Sequence, residues 1–171
     1  MISTEETKKI DKGLLLLNVI WGAMLFSLFI YLFVGLYAGK NINMDMDKDL
    51  VGVLRNILYA VSLIMLIATR FVKKLVLAGK IKGNVGTVNQ IAYRVDQPPA
   101  LARYTSALVI SLAMTESIGI YGLVLFFLGK NPVDLYSFIL ISAVAMLFYR
   151  PKRDEIVGLA QELEKQTASR Q

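Results

Sequence analysis

The stretch YTSALVISLAMTESIGIYGLVLFFL (Tyr104–Leu128) decides the class of this chain, because it is long and apolar and carries a single acid. A membrane-spanning helix needs ~20 apolar residues to cross ~30 Å of hydrocarbon. Glu116 lies near the middle of the stretch, and a carboxylate there costs several kcal/mol unless it is protonated, paired or bound to an ion. We therefore expect Glu116 to be a functional residue.

Three further apolar runs predict an all-α integral membrane protein. The chain has 171 residues, of which 56% are hydrophobic, and its mean hydropathy of +0.55 is too high for a soluble domain of this length. The predicted four-helix bundle occupies residues 1–149, with a loop at 73–103 and a tail helix at 150–171. Its four spans are residues 14–38, 51–72, 104–128 and 133–149.

Basic residues indicate the orientation of these spans. The amino-terminal tail, loop 73–103 and the segment after the fourth span are rich in lysine and arginine, whereas the loop after the first span carries Asp45, Asp47 and Asp49. The positive-inside rule then predicts a multi-pass protein of the inner (cytoplasmic) membrane with both termini and loop 73–103 in the cytoplasm. This topology and attraction to anionic lipid explain the net charge of +6, so no nucleic-acid partner is required.

Two of the cytoplasmic segments have an amphipathic pattern. Apolar residues recur at helical spacing at Val85, Val88, Ile91 and Val95 in the loop, and at Ile156, Leu159, Ala160 and Leu163 in the tail. The loop helix could lie on the membrane surface, bind a partner or pack on its own bundle. The tail stripe is typical of a docking face or of a weak surface helix.

The sequence contains no cysteine and no histidine, and this limits the cofactors and catalytic groups that the chain can provide. Without cysteine the chain has no disulfide framework, no thiolate nucleophile and no ligands for an iron–sulfur cluster. Without histidine it lacks the common ligand for haem, zinc and copper. The sequence also has no nucleophile–base pair and no phosphate-binding glycine motif. It therefore predicts neither an enzyme nor an organic or metal cofactor.

A layer of small polar residues could surround Glu116. Counting from the helix ends places Ser27, Ser62 and Ser142 near the centres of the first, second and fourth spans, with Tyr59 about one turn from Ser62. In a single bundle these groups could satisfy the carboxyl by hydrogen bonds. Serines also line helix interfaces simply because they are small, so each one alone has a packing explanation.

The third span resembles a known family. The stretch AMTESIGIYGLV (Ala113–Val124) is similar to the second helix of the rotary ATP synthase c subunit, the proteolipid of ion-driven rotors. It is closest to the sodium-binding version, with its pattern Glu-Ser-Thr-Gly-Ile-Tyr. Upstream, Gln97-Pro98 resembles that family's polar-loop Gln-Pro, and Asn131-Pro132 resembles the end of its second helix.

This resemblance implies a role for three residues. Glu116 would be an ion-binding carboxylate supported by Ser117 and Tyr121, with a proton or a sodium ion as its ligand. Ile118 stands where the family has threonine, and the first two spans lack the family's glycine ladder. The layout of the whole chain also resembles small uncharacterised four-helix proteins of the bacterial inner membrane.

Two functions remain open from the sequence. In the first, Glu116 binds a proton or sodium ion within an ion-translocating complex, a small channel or a sensor. In the second, the protein is a structural or assembly subunit, and Glu116 pairs with a partner helix. Arg55 and Arg70 lie nearer the ends of the second span, so we expect Glu116 to be protonated, ion-bound or paired with another chain. Four helices form a thin bundle, which favours a homo-oligomer or a membrane complex.

Overall fold

The computed structural model describes residues 4–39, 47–79 and 98–168, and in these ranges the chain forms five helices and no strand. The helices are α1 (Thr4–Ala38), α2 (Lys48–Leu77), α3 (Pro99–Gly129), α4 (Pro132–Phe148) and α5 (Arg153–Ala168). The predicted all-helical class is confirmed. The amphipathic helix expected around Val85–Val95 lies outside the described residues.

Several of these helices can cross a membrane. Residues Lys8–Ala38 of α1, the whole of α2 and the whole of α3 are long and apolar enough to do so. The shorter α4 reaches that criterion only together with α5, and the axes of these two helices meet at 51°. Length and composition therefore support a multi-pass protein with three or four spans.

The helix ends follow from local turn chemistry. Asp47 caps α2 by accepting a hydrogen bond from Asp49 N at 3.1 Å, and Asn131 caps α4 in the same way from Val133 N at 3.1 Å. Lys130 ends α3 in the left-handed region at φ 54°. Because polar residues continue the helices past the apolar runs, α1, α2 and α3 are longer than the predicted spans.

The third helix, α3, is the centre of the molecule. It packs against α1, α2, α4 and α5, whereas α1 and α2 pack mainly on α3 rather than on each other. In the most apolar window of α3, 44% of the residues are buried, against 11% in α1 and in α2. The outer helices instead expose large apolar side chains such as Phe29, Phe33, Ile64 and Phe71, which suits a lipid environment.

Two glycines let other helices approach α3 closely. A Cβ atom at Gly119 would lie 2.8 Å from Leu28 Cδ2 of α1, and one at Gly122 would lie 2.5 Å from Phe138 Cβ of α4. Both distances are shorter than normal carbon contacts, so the missing side chains permit the two crossings. The crossing at Gly119 is one helical turn from Glu116, and it holds α1 beside that residue.

One end of the molecule, which we call the basic end, joins the start of α1, the end of α2, the start of α3 and α5. Lys73 Nζ lies 2.8 Å from Glu155 Oε2, and Arg153 Nε lies 2.8 Å from Asp11 Oδ1. The tail stripe also folds back here, because Ile156 is fully buried in a cluster with residues of α1 and α3. The stripe thus packs on the protein's own core.

Candidate functional site

Glu116 lies near the middle of α3, half-buried in the seam between α3 and α1. Its Oε1 atom accepts hydrogen bonds from Ser27 Oγ at 2.5 Å and from Tyr31 Oη at 2.8 Å. Ser27 and Tyr31 are four residues apart on α1, which places both on one face of that helix. The three side chains form what we call the Glu116 site.

A count of hydrogens shows which state of the carboxyl this geometry suits. Ser27 Oγ lies 2.7 Å from Met24 O as well as 2.5 Å from Glu116 Oε1, but a hydroxyl has only one hydrogen to donate. If Glu116 is protonated, it donates to Ser27, Ser27 donates to Met24 O, and Tyr31 donates to Glu116. The neutral acid turns all three contacts into hydrogen bonds, whereas the carboxylate allows only two.

The described residues place no charged partner at Glu116. Within residues 4–39, 47–79 and 98–168 no ion pair includes Glu116, and no group of three or more His, Cys, Asp or Glu side chains could hold a metal ion. An ionised carboxylate in hydrocarbon needs a cation or several donors, and two hydroxyls are weak compensation. Among the described residues the site therefore offers Glu116 two hydroxyl partners and no cation.

The outer side of the site borders the surface that faces lipid. Two residues on that side of α3 are exposed. Ala113 comes three residues before Glu116, and Ile120 comes four residues after it. Val124 continues the exposed face and is 43% exposed. A proton or a group from a neighbouring helix can therefore approach Glu116 from this face of the described molecule.

The two residues that the family resemblance assigns to Glu116 do not contact it. Ser117 donates its hydroxyl to Ala113 O at 2.9 Å, within its own helix. Tyr121 packs on the cluster formed by Ile118, Leu125 and Phe138, between α3 and its neighbours α2 and α4. Residues one and five positions after Glu116 lie ~100° and ~140° around a helix from it, which explains the separation.

The expected polar layer divides between two interfaces. Of its four members, Ser27 contacts Glu116. Ser142 instead donates to Thr115 O at 2.7 Å, and the ring of Tyr59 stacks on Phe138 with 4.4 Å between centroids. Ser62 is buried, and its hydroxyl has no hydrogen-bond partner among the described residues. The last three belong to the packing of α2, α3 and α4.

Tyr31 is the site residue that the sequence analysis did not single out. The signal for it was available, because Tyr31 follows Ser27 by four residues and must share its helix face. A tyrosine in a span also needs a partner for its hydroxyl, and Glu116 supplies one. Counting positions from the helix ends identifies residues at similar depth, but it does not show that Tyr31 faces Glu116.

A second acid near the opposite end of the molecule has a different environment. Asp134, in the first turn of α4, accepts from Arg55 Nε at 2.9 Å and lies 2.8 Å from Arg55 Nη2, both through Oδ2. The Asp134 side chain is 4% exposed and that of Arg55 is 35% exposed. Arg55 thus ties α2 to α4 by an ion pair instead of extending freely to the membrane surface.

Comparison with known proteins does not add a relative to these observations. No protein-family model, no curated protein and no solved structure matches the chain. A functional conclusion therefore rests on the geometry of the Glu116 site.

Proposed function

We propose that this chain is a non-enzymatic, multi-pass inner-membrane protein in which Glu116 takes up and releases one proton inside the membrane. In this proposal it forms a four-span bundle with both termini and the basic end in the cytoplasm. It acts in a homo-oligomer or as a component of an ion-translocating complex. The distribution of lysine and arginine supports the orientation. Of the three residues to which the c-subunit resemblance gives a role, the proposal keeps Glu116 and leaves out Ser117 and Tyr121.

The observation that carries the proposal is the pair of short distances from Ser27 Oγ, 2.5 Å to Glu116 Oε1 and 2.7 Å to Met24 O. In the resting state the protonated carboxyl donates to Ser27 and accepts from Tyr31. When the proton leaves, the Ser27 hydroxyl turns from Met24 O to the carboxylate. Tyr31 donates its hydrogen bond to Glu116 in both states and so holds the carboxyl in place. Only Ser27 changes its hydrogen-bond partner when the proton leaves.

The same geometry favours a proton over a sodium ion as the ligand. Both hydroxyls lie at hydrogen-bond distance from one carboxyl oxygen, and a cation would have to occupy the space between these oxygens. Hard cations also collect many oxygen ligands, and this site offers a single carboxylate. We therefore assign the proton as the ligand and keep sodium as a competitor that the experiment must test.

Labelling with a hydrophobic carbodiimide tests the proposal directly. The reagent reacts with protonated carboxyls in apolar surroundings, and mass spectrometry of the full-length protein in detergent locates the adduct. We expect modification of Glu116 that falls as the pH rises, and loss of the adduct in Glu116→Gln. Asp134 is a matched internal control, because it is buried but paired with Arg55 and should not react.

Two results would contradict the proton assignment. Protection of Glu116 by sodium at constant pH would make sodium the ligand. The absence of any Glu116 adduct from pH 5 to pH 9, with the protein intact, would show that another group sequesters the carboxyl.

An assembly subunit is the second candidate, and the exposed face beside Glu116 favours it. Ile120 is 40% exposed next to the half-buried carboxyl, so an amide or cation of another helix could reach the acid there. In that case Glu116→Gln or Glu116→Ala would change the oligomeric state in detergent. Under the proton proposal, Glu116→Gln leaves the oligomeric state unchanged.

A further inference from the structure

A groove runs along the outside of the molecule between α2 and α4, away from the Glu116 site. Its volume is about 780 Å³, within the range of small-molecule sites. Apolar side chains form its walls, and four of them, Ile67, Phe71, Leu140 and Phe148, are more than half exposed. The walls used in this argument are Ile67 and Phe71 of α2 and Leu140, Val144 and Phe148 of α4.

Two cations stand at the end of this groove that faces the basic end. Arg70 and Lys74 both line it, and their spacing of four residues places them on one face of α2. Lys73, which precedes Lys74, is already paired with Glu155. Arg70 contacts the neutral hydroxyl of Tyr149. Neither Arg70 nor Lys74 makes an ion pair with another described residue, so both can bind an anion.

A second cavity continues the groove beyond the two cations. Its volume is about 640 Å³, and it shares Arg70, Lys74 and Tyr149 with the groove. The second cavity is also lined by acids of α5, including Asp154 and Glu162. Apolar walls, then cations, then acids therefore follow one another along one continuous surface.

We propose that this surface binds a glycerophospholipid whose headgroup carries both a phosphate and a primary ammonium. The acyl chains lie in the apolar groove, since that part of the molecule faces hydrocarbon. The phosphate lies at Arg70 and Lys74, and the ammonium reaches the acids of the second cavity. Basic pockets between membrane helices bind phosphate headgroups in the same way. The acids distinguish this site from one for a purely anionic lipid.

Native mass spectrometry of the full-length protein provides the test, with dioleoyl phosphatidylethanolamine, phosphatidylglycerol and phosphatidylcholine as probes. We expect phosphatidylethanolamine to bind most tightly. Its ammonium can donate hydrogen bonds to carboxylates, whereas the choline headgroup cannot. The double variant Arg70→Gln/Lys74→Gln should weaken phosphatidylethanolamine binding by about thirtyfold. Lys152→Gln is the matched control, since Lys152 is exposed at the same end but lines neither cavity.

Two further variants separate the parts of the site. Val144→Trp fills the groove without touching the cations, and it should lower the affinity for all three lipids. Asp154→Asn/Glu162→Gln should remove the preference for phosphatidylethanolamine while leaving phosphate binding intact. Tighter binding of phosphatidylglycerol than of phosphatidylethanolamine would overturn the headgroup assignment. Equal binding by the wild type and the Arg70/Lys74 variant would overturn the site itself.

Discussion

Glu116 in the middle of α3 and Asp134 in the first turn of α4 differ both in burial and in hydrogen-bond partners, which together decide what a carboxyl inside a helix bundle can do. Asp134 is almost fully buried and has a guanidinium partner, so its charge is compensated where it stands. Glu116 is half-buried, and its described partners are two neutral hydroxyls. A carboxyl with a guanidinium beside it makes an ion pair that holds two helices together. One surrounded by hydroxyls can exist in two protonation states with a small rearrangement.

The comparison also separates structural roles from functional ones. The Arg55–Asp134 pair joins α2 to α4 near one end of the molecule, where water can reach part of Arg55. The Glu116 site joins α1 to α3 near the middle of a span and contains no charge that would force its state. Loss of the first should therefore affect stability, and loss of the second should affect proton chemistry.

The largest effect should come from breaking the Arg55–Asp134 pair. We expect Arg55→Met to destabilise the protein by about 3 kcal/mol, because it leaves Asp134 buried without a partner. Because the Arg55 side chain is about one-third exposed, we expect a destabilisation at the lower end of the range for breaking buried ion pairs. Thermal unfolding in detergent would measure it. The double variant Arg55→Met/Asp134→Asn should recover most of the loss, and a failure to recover it would contradict the pairing.

Alanine substitutions at the two glycines of α3 should have smaller effects on stability, and the two effects should differ. At Gly122 an added Cβ meets Phe138 Cβ, which is fixed to the backbone, whereas at Gly119 it meets the flexible end of Leu28. We expect Gly122→Ala to cost about 1–3 kcal/mol and Gly119→Ala clearly less. Denaturation curves of both variants check the order. If Gly119→Ala were the more damaging of the two, the tight crossing would be at α1 instead of α4.

Glu116→Gln should change stability by less than about 1 kcal/mol, although it removes the proposed function completely. The glutamine amide is neutral, and an NH₂ group placed where Oε1 lies could donate to the hydroxyl oxygens of both Ser27 and Tyr31. Unfolding measurements on Glu116→Gln and Asp134→Asn side by side would sharpen the comparison. A strongly destabilised Glu116→Gln would show that the native protein requires a charge at this position.

The smallest effects should come from the hydroxyls of α1. Ser27→Ala and Tyr31→Phe each remove one hydrogen bond to Glu116, and we expect a loss of about 0.6 kcal/mol for each, as for other hydrogen bonds between membrane helices. Tyr59→Phe is a suitable control, because that tyrosine contacts Phe138 through its ring. A double-mutant cycle with Glu116→Ala would show whether these losses depend on the acid. Additive losses would contradict a shared site.

The sequence predicted where the helices lie along the chain, but it predicted less completely which side chains of different helices contact one another. Hydrophobic length and composition identify the helices that can cross a membrane, whereas the caps Asp47 and Asn131, where two helices begin, were not part of that prediction. Depth counting found Ser27, but it gave Ser62 and Ser142 the same weight. Depth is one coordinate, and the rotation of each helix about its axis depends on packing among all the helices.

The family resemblance had a similar limit. A motif along one helix states which residues follow one another, but it does not state which face meets a neighbour. Ser117 and Tyr121 match the motif and still lie on other sides of α3. The Arg55–Asp134 pair was beyond the sequence for a related reason, since it exists only because α2 and α4 start at the same end of the bundle.

The central position of α3 has a consequence for how this protein is made. Both α1 and α2 leave the ribosome before α3, and neither has the other as its main packing partner. Translation from Leu77 to Gly129 takes several seconds at ~5–20 residues per second. During that time the first two helices must remain in the bilayer as separate, lipid-solvated segments. The arrival of α3 then joins α1 and α2, before α4 and α5 follow and pack on it, and Glu116 meets Ser27 and Tyr31 only when α3 arrives.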